Sequence, residues 1–163
     1  MSGSGGFLQG LIDPRLLFPD LPGGRMEEAL AEMSRRLVAA GIAADPQELS
    51  RRLLEREKLG CTGLGSGVAI PHCKLAGLSD VVLAVGISKD GVDFCAPDGQ
   101  PVHVIFLILS PPQAAALHLQ ALARVSRLLR SPETTARLAA ADTRERLEEA
   151  LRESEAALAP AAS

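Results

Sequence analysis

Most of the chemistry this sequence offers lies between Gly60 and His72. Gly60, Gly63, Gly65 and Gly67 lead into a short apolar run, Val68-Ala69-Ile70, which ends in Pro71 and His72. A glycine-dense loop can turn successive backbone N–H groups toward one point and so form a concavity for an anion. Thr62 and Ser66 add hydroxyl donors, and Lys74 adds a positive charge just beyond. An imidazole with an unperturbed pKa of about 6.5 is a competent nucleophile near neutral pH. Pro71 stiffens the backbone directly before it. The candidate phosphate loop is therefore Thr62, Gly63, Gly65, Ser66 and Gly67, with His72 beside the bound phosphate. A surface histidine following a turn is the plain alternative. The spacing is neither GxxxxGK[ST] nor GxGxxG, which sets aside the two common nucleotide loops.

Three further groups bear on this reading. Leu49, Leu53 and Arg56 fall on one stripe of a helix over 46–58, so Arg56 points along the buried face one turn before the glycines. Its guanidinium either clamps phosphoryl oxygens or snorkels over apolar surface. His118 is placed about two turns into a helix that opens at Ser110. On its own it reads as a structural histidine, as does His103 in a strand. Cys73 adjoins His72, but neighbours in an extended segment face opposite ways, so the two do not form a working pair. A transition-metal site of His72, His118 and Cys73 is a weaker rival. No metal or cofactor is expected.

These residues need a scaffold that 163 residues can supply as one domain. The chain is 47% hydrophobic but only 2% aromatic, so Leu, Val, Ile and Ala must fill the core. A net charge of −3 without a basic face, and the scarcity of stacking side chains, argue against nucleic acid as a partner. No apolar run approaches the roughly 20 residues of a membrane span. Cys61, Cys73 and Cys95 are scattered and odd in number, which disfavours a disulfide framework and fits a reducing cytoplasm.

Residues 1–10 are expected to be disordered, 11–158 to form the domain and 159–163 to be a tail. An extended segment is predicted over 14–22 and helices over 25–40 and 46–58. A short strand follows at 68–70. Val81–Ser88 and Val92–Phe94 read as a hairpin about a Lys89-Asp90-Gly91 turn. Val102–Leu109 reads as a central strand covered on both faces. Ser110-Pro111-Pro112-Gln113 reads as a helix start, with Ser110 as the cap and the helix continuing to about 130. Two more helices open at Ser131 and Asp142. The fold class is α/β, a single domain with a mixed sheet sandwiched between helices.

The segment Arg56-Glu57-Lys58 … Thr62-Gly63-Leu64-Gly65-Ser66-Gly67-Val68-Ala69-Ile70-Pro71-His72 resembles the signature of the type-2 IIA domains, the fructose/mannitol IIA family of the bacterial phosphoenolpyruvate-dependent sugar phosphotransferase system. His118 in His118-Leu119-Gln120-Ala121-Leu122 sits where that family has its second histidine. The resemblance covers about residues 12–153. It implies a mannitol-IIA-like fold and a phosphotransferase activity. The histidine matching His72 would be phosphorylated by an HPr-type phosphocarrier protein and would pass the group to a IIB domain. The residues matching Arg56 and His118 would support the phosphorylated state. A chain of this length without a IIB or IIC segment is similar to the nitrogen-related regulatory IIA proteins, which implies regulatory target proteins. Sugar-specific IIA components, and a non-catalytic interaction module of the same fold, are the alternatives. The resemblance also implies a cytoplasmic protein. Two departures stand out: Cys73 replaces a frequent glycine, and His103 lies outside the family pattern.

Overall fold

Val102–Ser110 forms β7, the strand around which the sheet is organised. In the computed structural model, which describes residues 6–158, this strand is almost wholly buried. Its alternate side chains enter two separate cores. Val104, Phe106 and Ile108 pack with Leu83, Val85 and Ile87, and with Ala121, Val125, Leu138, Leu147 and Leu151 from three C-terminal helices. Those helices are α3 (Ala115–Leu128), α4 (Pro132–Ala139) and α5 (Arg144–Leu158). Ile105, Leu107 and Leu109 pack with Leu30, Met33 and Leu37 of α1 (Met26–Ala39), and with Leu49 and Leu53 of α2 (Pro46–Lys58). A strand that must be apolar on both faces is what a sheet with helices on each side requires.

Among the described residues the sheet has seven strands. Besides β7 they are β1 (Ile12–Phe18), β2 (Gly24–Arg25), β3 (Gly63–Gly65), β4 (Val68–Ala69), β5 (His72–Lys74) and β6 (Val82–Asp93). The main order is β1-β6-β7-β4-β3, with β2 paired to β6 and β5 paired to β7. β6 runs antiparallel to β7, whereas β4 and β5 run parallel to it, so the sheet is mixed as expected. The helices at 26–39 and 46–58 also lie where periodicity and capping put them. Asp45 accepts a hydrogen bond from the Gln47 amide, and Pro46 opens the helix. The extended segment expected over 14–22 is the edge strand β1, which ends at Phe18.

Three expectations change. Val82–Asp93 is one continuous strand and not a hairpin. Lys89-Asp90-Gly91 forms a bulge, because the far half of β6 is captured on both sides: Val92 pairs with Val102 of β7 and with Gly24 of β2. Gly91 makes the bulge possible at φ +91°, and its amide donates to Ser88 Oγ. Next, α3 begins at Ala115 and not after Ser110, since Ser110 is the last residue of β7. Finally, residues 8–10, expected to be disordered, form a turn of 3₁₀ helix with Leu8 buried. The Leu8 and Gln9 amides donate to the Glu155 carboxylate of α5. Residues 1–5 and the expected tail at 159–163 lie outside the described residues.

Candidate functional site

Strand β7 places His72 by register. β5 lies parallel to β7 with His72 opposite Ile108, Cys73 opposite Leu109 and Lys74 opposite Ser110. Alternation then sorts the neighbours. Cys73 turns into the core beneath α1 and α2, where burial pushes its thiol up to about 11. His72 faces the other layer, half-buried, and meets His118 there. Their rings are 5.3 Å apart between centroids and inclined at 61°. This geometry removes Cys73 from the site. Among the described residues no cluster of three or more His, Cys, Asp or Glu could hold a metal ion.

Each histidine has a fixed second partner. His72 Nδ1 lies 2.8 Å from the Ile70 carbonyl oxygen. A carbonyl only accepts, so Nδ1 carries the proton and Nε2 the lone pair. His118 Nδ1 instead meets Ser110 Oγ, a hydroxyl that can donate. Both imidazoles are held below the ordinary histidine value. For His72, burial is the main cause and the Arg56 charge adds to it, against the Ile70 hydrogen bond. For His118, burial leads, and the charges of His72, Lys74 and Arg56 act the same way. Because α3 starts late, His118 stands in its first turn and not its second. The positive end of the helix dipole there also disfavours an imidazolium.

Arg56 is half-exposed at the end of α2, and its Nη1 donates to the Gly60 carbonyl at 3.1 Å. Its charge reaches both imidazoles. The buried stripe of α2 actually runs Leu49, Leu53, Glu57, so the fully covered side chain is the acid next to Arg56. Glu57 accepts the Thr62 amide on Oε1 at 2.9 Å and the Thr62 hydroxyl on Oε2. Thr62 in turn accepts the Ile70 amide on its carbonyl at 3.0 Å. A chain of bonds thus links the end of α2 to the residue that holds His72. The signal for Glu57 is present in the sequence: an acid at i+4 from Leu53 on an apolar stripe needs a partner from elsewhere.

The glycine segment folds as a β-hairpin. Gly63 pairs opposite Ala69 and Gly65 opposite Val68. Several of its donors are committed elsewhere: Thr62 to Glu57, the Ser66 amide to Asp98, and the Gly63 amide to Cys61 Sγ. Its tip is also remote from the histidines. Val68 lies beside Val104 and His72 beside Ile108, four residues along β7, or at least roughly 13 Å. Gly65, Ser66 and Gly67 are therefore not brought to His72, whereas Thr62 and Gly63 lie at the near end. His103 Nδ1 donates to the Ser88 carbonyl at 2.8 Å and stays outside the cluster.

Four large apolar side chains stand exposed among the described residues, Leu64 on the glycine hairpin and three others. Leu59 is 84% exposed, Leu117 44% and Leu119 67%. They flank Gly60 and His118 in the chain. A groove of about 830 Å³ between α1 and α2 includes neither histidine.

A mixed sheet between helical layers thus brings two histidines and an arginine together near one end of β7. Residues 11–154 match the family described as phosphoenolpyruvate-dependent sugar phosphotransferase system, EIIA 2, and the chain belongs to that family. It is 35% identical to a nitrogen regulatory protein of Pseudomonas aeruginosa over 140 residues, covering 86% of this chain and 91% of that one. It is 41% identical over 117 residues to the fructose-specific EIIABC component of Bacillus subtilis. That match takes in 72% of this chain but spans only 18% of the Bacillus protein. The nitrogen regulatory protein IIA-Ntr of Neisseria meningitidis has the same fold, with a TM-score of 0.81 at 29% identity over 90% of this chain and 99% of that one.

Proposed function

We propose that this chain relays a phosphoryl group between proteins, with His72 Nε2 as the acceptor. The observation that carries the reading is the pairing of His72 and His118 beside Arg56, with Nδ1 of His72 tied to a carbonyl. The incoming group arrives on the phosphohistidine of an HPr-type carrier. The His72 Nε2 lone pair attacks phosphorus in line. The Nε2–P bond forms as the P–N bond to the carrier breaks, and that electron pair returns to the carrier imidazole. Such a transfer demands positioning and charge stabilisation more than covalent help. Arg56 supplies a permanent charge, Lys74 a second, and His118 an N–H. Gly65, Ser66 and Gly67 serve the scaffold at a distance from the phosphate, whereas Thr62 and Gly63 stand at its near end. The exposed Leu59, Leu117 and Leu119 form the rim on which a partner protein seats, which a protein-to-protein transfer needs and a small-molecule pocket does not.

The likeness to nitrogen regulatory proteins along nearly their whole length supports a regulatory role in the cytoplasm, with target proteins downstream. The 41% identity to a fructose-specific component favours, as second reading, transfer onward to a IIB domain. Incubation with phosphoenolpyruvate, enzyme I and an HPr-type carrier should place one acid-labile phosphate on the chain. His72→Ala should accept none. Undiminished labelling of that variant at a single site would refute His72 as acceptor. Onward transfer to a fructose-type IIB would select the transport reading.

A further inference from the structure

Two histidines lie side by side in this site, yet their second nitrogens face opposite kinds of partner. His72 Nδ1 meets a carbonyl, which only accepts. His118 Nδ1 meets Ser110 Oγ, which has a proton to give. Ser110 is fully buried at the end of β7. Its place is fixed twice: it pairs with Lys74 in the register that seats His72, and its carbonyl accepts the Leu75 amide at 2.9 Å. Among the described residues, His118 Nδ1 is the one side-chain partner of that hydroxyl. The same strand therefore sets His72 through β5 and His118 through its own last side chain.

We propose that Ser110 is a positioning residue that donates its hydroxyl proton to His118 Nδ1, so that His118 carries its only N–H on Nε2. This role rests on the relay reading above. A phosphoryl group on His72 offers oxygens that can only accept, so a useful neighbour must present a donor. A neutral imidazole has one N–H. If Nδ1 kept it, Nε2 would turn a lone pair toward the phosphoryl oxygens and repel them. With Ser110 donating to Nδ1, the proton is held on Nε2. The serine thus divides the labour: the carbonyl of Ile70 makes His72 the nucleophile, and the hydroxyl of Ser110 makes His118 a donor without a competing lone pair. Ser110 touches no phosphate and acts only through His118.

The tautomers are read directly by long-range ¹H–¹⁵N correlation of the histidine rings in the unphosphorylated protein near pH 8. His118 should show a bare Nδ1 and a protonated Nε2, and His72 the reverse. A protonated Nδ1 on His118 overturns the proposal without touching the relay, because no phosphate is involved. Ser110→Ala should mix the His118 tautomers, leave His72 unchanged and slow phosphoryl acceptance about tenfold, the cost of one lost or misdirected hydrogen bond. Ser110→Thr, which keeps the hydroxyl on a strand, should restore both. Wild-type acceptance by a folded Ser110→Ala, or slowed acceptance with an unaltered His118 tautomer, also overturns it. Should Ser110→Ala fail to fold, the wild-type spectrum decides alone. Failure of the relay itself would appear separately, as labelling that survives His72→Ala.

Discussion

The glycine-rich segment has two ends that differ in almost every respect except composition. At the near end, Thr62 is buried, bonded to the carboxylate of Glu57 and tied through its carbonyl to Ile70. Ile70 then holds the ring of His72. At the far end, Ser66 and Gly67 form an exposed tip whose amide and carbonyl are bonded to Asp98, His103 and Val104. Glycine density suggests a single anion cradle spanning both. What separates them is where the N–H groups go: a donor committed to a carboxylate or a ladder is no longer offered to a ligand. The positive field at His72 comes from side chains of other elements.

The sharpest way to break this comparison is to cut the near end. Glu57→Ala leaves the amide and hydroxyl of Thr62 buried without an acceptor. At about 1–3 kcal/mol for each of the two unsatisfied groups, the loss should be about 2–6 kcal/mol, or roughly 4–24 °C in Tm. Phosphoryl acceptance should fall with it, because Ile70 loses its anchor. Thermal unfolding and a labelling assay on the same sample check both. A Tm within a degree of wild type would mean that the Glu57–Thr62 link does not organise the segment.

Arg56→Ala probes the same end without disturbing the fold. Arg56 is half-exposed and makes one backbone hydrogen bond, so the Tm should barely move. Losing a charged donor to phosphoryl oxygens costs about 1.5–3 kcal/mol, which predicts acceptance slower by about 10- to 100-fold. An unchanged rate would return Arg56 to the role of a side chain lying over apolar surface.

Where the sequence succeeded, it did so through periodicity and length. The helices at 26–39 and 46–58 and the doubly buried strand β7 have patterns that no neighbour can reinterpret. Where it failed, local chemistry was overruled by pairing. Lys89-Asp90-Gly91 has turn composition, but β2 and β7 capture Val92 directly beyond it. Ser110-Pro111-Pro112-Gln113 has the composition of a capping box, but the ladder with β5 claims the backbone of Ser110, and His118 claims its hydroxyl. Of the site, the types His72, His118 and Arg56 could be picked out; the roles of Glu57 and Ser110 could not, since both depend on contacts made across elements.

Acidity gives a milder test. Both folded histidines titrate below the ordinary value of about 6.5. His72 therefore keeps its neutral, nucleophilic form to lower pH than an ordinary imidazole, and acceptance should decline less steeply below about pH 6.5 than an ordinary imidazole would allow. The same shift has a cost in stability. As the pH falls below about 6.5 the unfolded chain takes up protons that the folded chain does not yet bind, so stability declines through that window until the folded values are reached. Urea midpoints at pH 8, 7, 6 and 5 should fall below pH 6.5, and should fall less in His72→Ala/His118→Ala. Asp13, Asp20, Glu32, Glu48 and Asp98, whose carboxyls are held low by hydrogen bonds, weaken the fold only from about pH 5 downward, so the fall between about pH 7 and 6 belongs to the histidines. A flat profile down to pH 5 would contradict the burial assigned to the two rings.

The smallest effect belongs to the far end, and it sharpens the comparison most cleanly. Gly67 sits at φ +82°, where a Cβ would meet only the Pro101 carbonyl at 3.8 Å and the His103 ring at 3.9 Å. Those are ordinary contacts, so Gly67→Ala should incur the left-handed backbone penalty alone, about 1 kcal/mol, or a Tm lower by roughly 2–4 °C. Gly67→Asn should lose less, since asparagine tolerates that conformation. Phosphoryl acceptance should be unchanged in both, because the tip lies about four residues along β7 from His72. If a folded Gly67→Ala accepted phosphate as slowly as Arg56→Ala, the tip would belong to the site after all. The division between a hairpin that holds and a histidine end that reacts would then have to be redrawn.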